Sequence, residues 1–244
     1  LIFYAERELA WACQQVNVRF ICLQKEATWS PLELDYLAQF YKEAVGSFHG
    51  DAIAFYSETS RKVFESSGLV PEKQAFVVGC ARLDESHLLR VENASPLKPK
   101  VVFFLISHLA GLTRIPPPER SGKDWSGMVG RVNRAVLELA VQNPQIHFVL
   151  KAKSGHSEEQ LRRVFASSSS RNLPANVEVQ AGGSGHRLLM DASVVVGFNS
   201  TAVLESIAAG VPTIVPNIFS KKEEKFFEGA HLVREAVQIV DTVD

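Results

Sequence analysis

Residues 191–216 constrain what this chain can fold into more than any other stretch. Val194 to Val196 is a short β-branched apolar run, as a strand buried in a parallel sheet requires. Gly197 ends it. Asn199, Ser200 and Thr201 are all residues that cap helix N-termini. Glu205 follows within the first turn or so, where a carboxylate suits the positive end of a helix. Gly210 stands where a helix C-terminal glycine belongs, and Pro212 blocks continuation. Thr213 to Val215 is the next strand. Strand, turn, helix and strand in this order belong to an α/β fold with a parallel sheet. The helix N-terminus at the strand's carboxyl end directs N–H groups outward, and the hydroxyls of Ser200 and Thr201 add donors. The element either takes an anion there or simply caps its own helix.

The rest of the chain repeats the alternation. Helical spacing covers 4–16 and 32–45, the second with Leu34, Leu37, Ala38, Tyr41 and Val45 on one face. Val18–Leu23 reads as a buried strand and Ala52–Tyr56 as another. Ser57 or Thr59 caps a helix that Gly68 closes, and Ala75–Val78 is a third strand. Residues 91–99 are proline-bearing and poor in apolar side chains, so they read as a linker. Val101–Ile106 opens a second domain. Residues 110–127, with Pro116, Pro117 and Pro118 in a row, form a long stiff loop, either a lid or a proline-motif ligand. A helix over 125–142 buries Met128, Val132, Ala135, Val136, Leu139 and Ala140. Ile146–Leu150, Val177 with Val179, and the pair beginning at 231 continue the pattern. The expected organisation is a first α/β domain over 1–90, the linker over 91–99 and a second α/β domain over 100–244.

Polar residues gather where these strands end. Glu26 follows the first strand, Arg82 and Asp84 the third, Ser107 and His108 the fourth, Lys151 and Lys153 the fifth. In open parallel sheets the carboxyl ends of the strands form the ligand crevice. There Arg82 has a phosphate or Asp84 as partner. Ser107 and His108 suit a sugar or phosphate, and the lysines are point charges for an anion. Each also has a plainer role, as a solvated or locally bonded loop residue. Gly182-Gly183-Ser184-Gly185 lacks the spacing of a dinucleotide or P-loop motif.

Composition narrows the function. A net charge of −1 leaves no nucleic-acid footprint. The three cysteines, Cys13, Cys22 and Cys80, have no metal spacing and suit a reducing compartment. No apolar run reaches the roughly 20 residues of a membrane span. The chain opens on Leu1 without a signal-peptide pattern and reads as a fragment.

The 191–216 element resembles the donor-site element of GT-B glycosyltransferases, above all of bacterial surface-carbohydrate (capsule and O-antigen) biosynthesis proteins. UDP-GlcNAc 2-epimerases and CDP-glycerol glycerophosphotransferases carry related elements. Val77–Asp84 resembles a Val-x-Gly-x-Pro/Ala-Arg-x-Asp stretch of the same proteins, with Ala81 where proline is common. The resemblance implies two Rossmann-like domains facing each other, the first incomplete. It implies transfer of a sugar from a nucleotide-sugar to a surface polysaccharide or lipid-linked glycan, without metal or other cofactor. It places the protein in the cytoplasm, at the inner face of the membrane. Arg82, Ser107, Lys151, Lys153, Asn199, Ser200, Thr201 and Glu205 would hold the donor. Some relatives use CMP-Kdo with retention, which needs a nucleophile and an acid/base. Asp84, Glu26 and His108 are the candidates for nucleophile, acid/base and donor contact. The alternatives are an epimerase or polyol-phosphate transferase on the same fold, or a non-catalytic assembly module.

Overall fold

The structure is a computed structural model that describes residues 4–24, 31–92, 99–105, 125–152, 157–168, 173–198, 200–216 and 238–240. It is an α/β protein with parallel sheets throughout. The described residues fall into two compact units, one up to Ala81 and one from Arg82 onward.

The first unit contains α1 (Tyr4–Gln15), β1 (Ile21–Leu23), α2 (Pro31–Val45), β2 (Ala52–Phe55), α3 (Glu58–Ser66) and β3 (Ala75–Val77). Its sheet has the order β1-β2-β3, with Cys22 beside Ile53 and Ile53 beside Ala75. These residues and Phe55 pack on Leu34, Leu37 and Phe64. Ser57 caps α3, its hydroxyl accepting from the Ser60 N–H at 3.2 Å. The first strand departs from the expectation of a fully buried run. Ile21 and Leu23 are 64% and 57% exposed, and only Cys22 between them is buried. Both crossovers step the same way across the sheet, and right-handed crossovers then put α2 and α3 on one face.

The second unit contains α4 (Arg82–Glu92), β4 (Lys100–Phe104), α5 (Trp125–Gln142), β5 (His147–Lys151), α6 (Glu158–Ser168), β6 (Val177–Gln180), α7 (Gly185–Leu189), β7 (Val194–Val196), α8 (Thr201–Ala208), β8 (Thr213–Pro216) and β9 (Gln238–Val240). The strand order is β6-β5-β4-β7-β8-β9. Val102 and Phe103 point to opposite faces of β4, and neither is exposed to solvent. Both faces of this sheet are therefore covered, as a parallel sheet demands. On α5 the buried apolar set is Val132, Ala135, Val136, Leu137 and Ala140, with Asn133 buried beside them, while Leu139 is exposed.

The helix α4 has no counterpart in the sequence reading, which starts a linker at Val91. Here the helix runs to Glu92 and packs on α7 and α8, inside the second unit. Asp84 and Glu85 in its first turn suit the helix dipole. Ser86 is fully buried on its inner side.

Asn176, just before β6, fastens the end of α5 and the turn that leads into β5. Its Nδ2 lies 2.9 Å from the Ala140 carbonyl, 3.1 Å from that of Asn143 and 2.9 Å from that of Ile146. Asn176→Ala strips all three acceptors of this donor and is expected to cost about 2 kcal/mol. The check is the urea midpoint at unchanged slope; a loss below about 0.5 kcal/mol would show that water replaces the amide.

Candidate functional site

In the second unit the chain builds outward from β4 to β6 on one side, then crosses to β7 on the other. A sheet of this order opens a crevice at the carboxyl ends of its two central strands, here β4 and β7. Close packing shapes that point. A Cβ on Gly197, at the end of β7, would come within 3.1 Å of Val203 and 3.7 Å of the Cβ of Phe104. A Cβ on Gly185 would meet the Phe104 ring at 3.5 Å. Phe104, the last residue of β4, is thus approached by two stretches of backbone that carry no side chain, one at its ring and one at its Cβ.

The segment after β7 folds as its residues dictate. Ser200 adopts extended backbone (φ −126°, ψ 146°), and its hydroxyl accepts from the Ala202 N–H at 3.3 Å. Ser200 is therefore the N-cap of α8, with Thr201 as the first helical residue. At the far end Gly210 has φ +72° and its N–H reaches the Ile207 carbonyl at 2.9 Å, a glycine-closed helix end.

Glu205, on the second turn of α8, is buried although it is a carboxylate. Buried charge must be compensated. Arg82 supplies this from α4, its Nε donating to Glu205 Oε1 at 2.8 Å. His186 on α7 lies behind the same oxygen, with Nε2 at 3.7 Å. Its Nδ1 is 3.1 Å from the hydroxyl of Ser86. Thus Arg82 is joined to Glu205, a partner far more distant in sequence than the Asp84 considered above. Asp84 is exposed on the first turn of α4, two residues beyond Arg82.

Lys151 ends β5 and is 6% exposed. Its ammonium turns inward and donates to the carbonyls of Gly182 at 2.9 Å and Ala152 at 3.2 Å. Burial holds its pKa below the usual lysine value. The lysine is a tether between the β5 end and the glycine-bearing loop ahead of α7, rather than a charge extended into water.

Arg82, Asp84, Lys151, Ser200, Thr201 and Glu205 all fall in the second unit, where Arg82 and Glu205 are in direct contact. Glu26, Ser107, His108, Lys153 and Asn199 lie outside the described residues. His186 and Ser86 belong to the cluster and carry no sequence motif. Among the described residues no group of three His, Cys, Asp or Glu side chains is placed to hold a metal ion. No helix among them is long and apolar enough to cross a membrane.

The sequence profile of a family described as "Putative glycosyltransferase (DUF6716)" matches residues 129–242, a little under half of the chain. No curated protein matches it. Among solved structures it is similar to the UDP-GlcNAc 2-epimerase of Neisseria meningitidis bound to UDP-GlcNAc, with TM-score 0.55 and 14% identity over 90% of this chain and 59% of that one. The UDP-GlcNAc 2-epimerase of Methanocaldococcus jannaschii gives 0.55 and 10%, over 97% and 63%. The S. aureus MnaA–UDP structure gives 0.50 and 12%, over 91% and 56%. The chain thus spans about three fifths of the length of these structures. At such identities the likeness concerns the fold, which is Rossmann-like and of the GT-B kind.

Proposed function

We propose that this chain is part of a GT-B glycosyltransferase that holds a nucleotide-sugar donor at the β4–β7 crevice of its second unit. The observation that carries the reading is the Arg82–Glu205 pair on the helix that Ser200 caps directly after β7, where the strand order reverses. A phosphate-bearing ligand fits there, with the α8 N-terminus and Arg82 as its cationic and N–H partners. The family match over 129–242 supports sugar transfer as the reaction. Thr201 adds a hydroxyl, and Lys151 fixes the loop at Gly182 with its charge behind the crevice. Lys153, Asn199 and Ser107 complete the proposed donor set.

The finer version takes CMP-Kdo as donor and a surface polysaccharide or lipid-linked glycan as acceptor, at the inner face of the membrane. In it the Asp84 carboxylate attacks the anomeric carbon as the bond to the CMP phosphate breaks. The glycosyl-enzyme ester is then opened by an acceptor hydroxyl whose proton passes to Glu26. His108 contacts the donor, and no metal takes part, so transfer persists in EDTA. Asp84→Asn is expected to abolish transfer and leave nucleotide binding intact.

The test of the donor site is a thermal-shift screen against CMP, CDP, UDP, GDP and their sugars. Ligand at a hundred times its Kd stabilises the native state by about 2.7 kcal/mol. One nucleotide should raise the midpoint, and Arg82→Ala and Ser200→Ala should each reduce the shift. If no nucleotide moves the wild-type midpoint, a non-catalytic assembly role replaces this reading. A second reading, UDP-GlcNAc 2-epimerisation, is favoured by the two epimerase structures at TM-score 0.55. A UDP response with free epimerised sugar as product would select it.

A further inference from the structure

The imidazole of His186 is held in an unusual position for a residue with no assigned task. It stands at the start of α7, directly after Gly185, which packs on the Phe104 ring at the β4 end. Its side chain is 18% exposed, so a ligand can reach it. Ser86 engages Nδ1 at 3.1 Å and fixes the ring plane. The opposite nitrogen, Nε2, lies 3.7 Å from Glu205 Oε1 and 3.8 Å from Glu85 Oε2. Both distances exceed a hydrogen bond, and among the described residues Nε2 makes none. Glu205 is committed to Arg82 at 2.8 Å. Glu85 is different: its side chain is 69% exposed, and among the described residues it makes no hydrogen bond that holds it beside the ring. An anion of tighter geometry can therefore take its place at Nε2.

We infer that His186 is a further donor-contacting residue, receiving a phosphate oxygen of the nucleotide at Nε2 in the position that Glu85 now faces. Glu205 is a positioning residue, since its carboxylate aligns Arg82 and His186 side by side while being itself buried. Glu85 is a competitor for the same nitrogen. The inference rests on the donor site proposed above and adds to it the residue that reads the phosphate.

Calorimetric titration of the full chain with CMP, CDP, UDP and GDP, and with cytidine, uridine and guanosine as phosphate-free controls, tests it. For the nucleotide that binds wild type, His186→Gln is expected to weaken affinity about five- to tenfold. Affinity for the matching nucleoside should stay the same. Glu85→Gln, an exposed change that leaves the fold intact, is expected to tighten nucleotide binding about two- to threefold. In the double variant that gain should vanish, because it acts through His186. Equal losses for nucleotide and nucleoside in His186→Gln, or a Glu85→Gln gain that survives without the histidine, would overturn the inference while leaving the donor site standing. Absence of any nucleotide binding to wild type would overturn both.

Discussion

Phe103→Ala is expected to lower the stability of the protein by about 3–5 kcal/mol. Phe103 is among the largest fully buried side chains and lies on β4, with Leu150 and Val196 as its neighbours in the sheet. Truncation removes most of a ring from a strand whose faces are both packed, and a parallel sheet has little freedom to close the void. The loss is a large part of the 5–15 kcal/mol that holds a typical domain together. Urea unfolding should show a lower midpoint at similar slope. Phe76→Ala is the matched control: this ring is 53% exposed, and the change should stay within about 0.5 kcal/mol. Similar losses at both sites would refute the assignment of the core.

Lys151 gives the second large effect, and its size depends on what replaces it. Lys151→Glu puts a carboxylate against the carbonyls of Gly182 and Ala152, acceptor facing acceptors. The expected loss is about 3–5 kcal/mol, the size found when a buried charge lacks a partner. Lys151→Met keeps the stem, removes the buried charge and gives up two hydrogen bonds, so its net change should be within about 1 kcal/mol. The pH dependence separates the two terms. The folded lysine has a lowered pKa, while the unfolded one titrates near 10.4. Between those values the unfolded chain binds more protons, so stability rises with pH across that alkaline window. Wild type should show this rise and Lys151→Met should lack it. A Lys151→Glu protein as stable as wild type would mean that the side chain leaves its buried site at little cost.

The second unit was largely legible in the sequence because its signals are local. The three valines of β7, the cap at Ser200, the glycine at 210 and the proline at 212 each act within a few residues, and their elements fall where those rules put them. The helix at 125–142 is likewise set by its own periodicity. What escaped depends on distant partners. Glu205 reads as a first-turn carboxylate, yet its environment comes from Arg82, 123 residues away. The Ser86–His186 contact joins residues 100 apart. The helix α4 was hidden because its polar run gives weak periodicity and because its packing lies with α7 and α8, not with the strands before it. Lys151 reads correctly as the end of a strand, but its direction is decided by the carbonyl at Gly182, which no local pattern reveals. Strand β1 reads as buried because its residues are all apolar; the side on which helices settle depends on the crossovers.

The strand order of the second unit also bears on synthesis. Val102 of β4 is flanked by Val149 on one side and Val195 on the other. The central strand is made first, and its second edge stays open until β7 has left the ribosome. At 5–20 residues per second, a gap of about 90 residues keeps that edge unpaired for on the order of 5–20 s. Lys100–Phe104 is apolar from Val101 onward, so the nascent chain displays an aggregation-prone edge during this interval. Slower translation between β5 and β7 would lengthen the exposure and make yield depend on chaperone supply, even in variants whose finished fold is unimpaired.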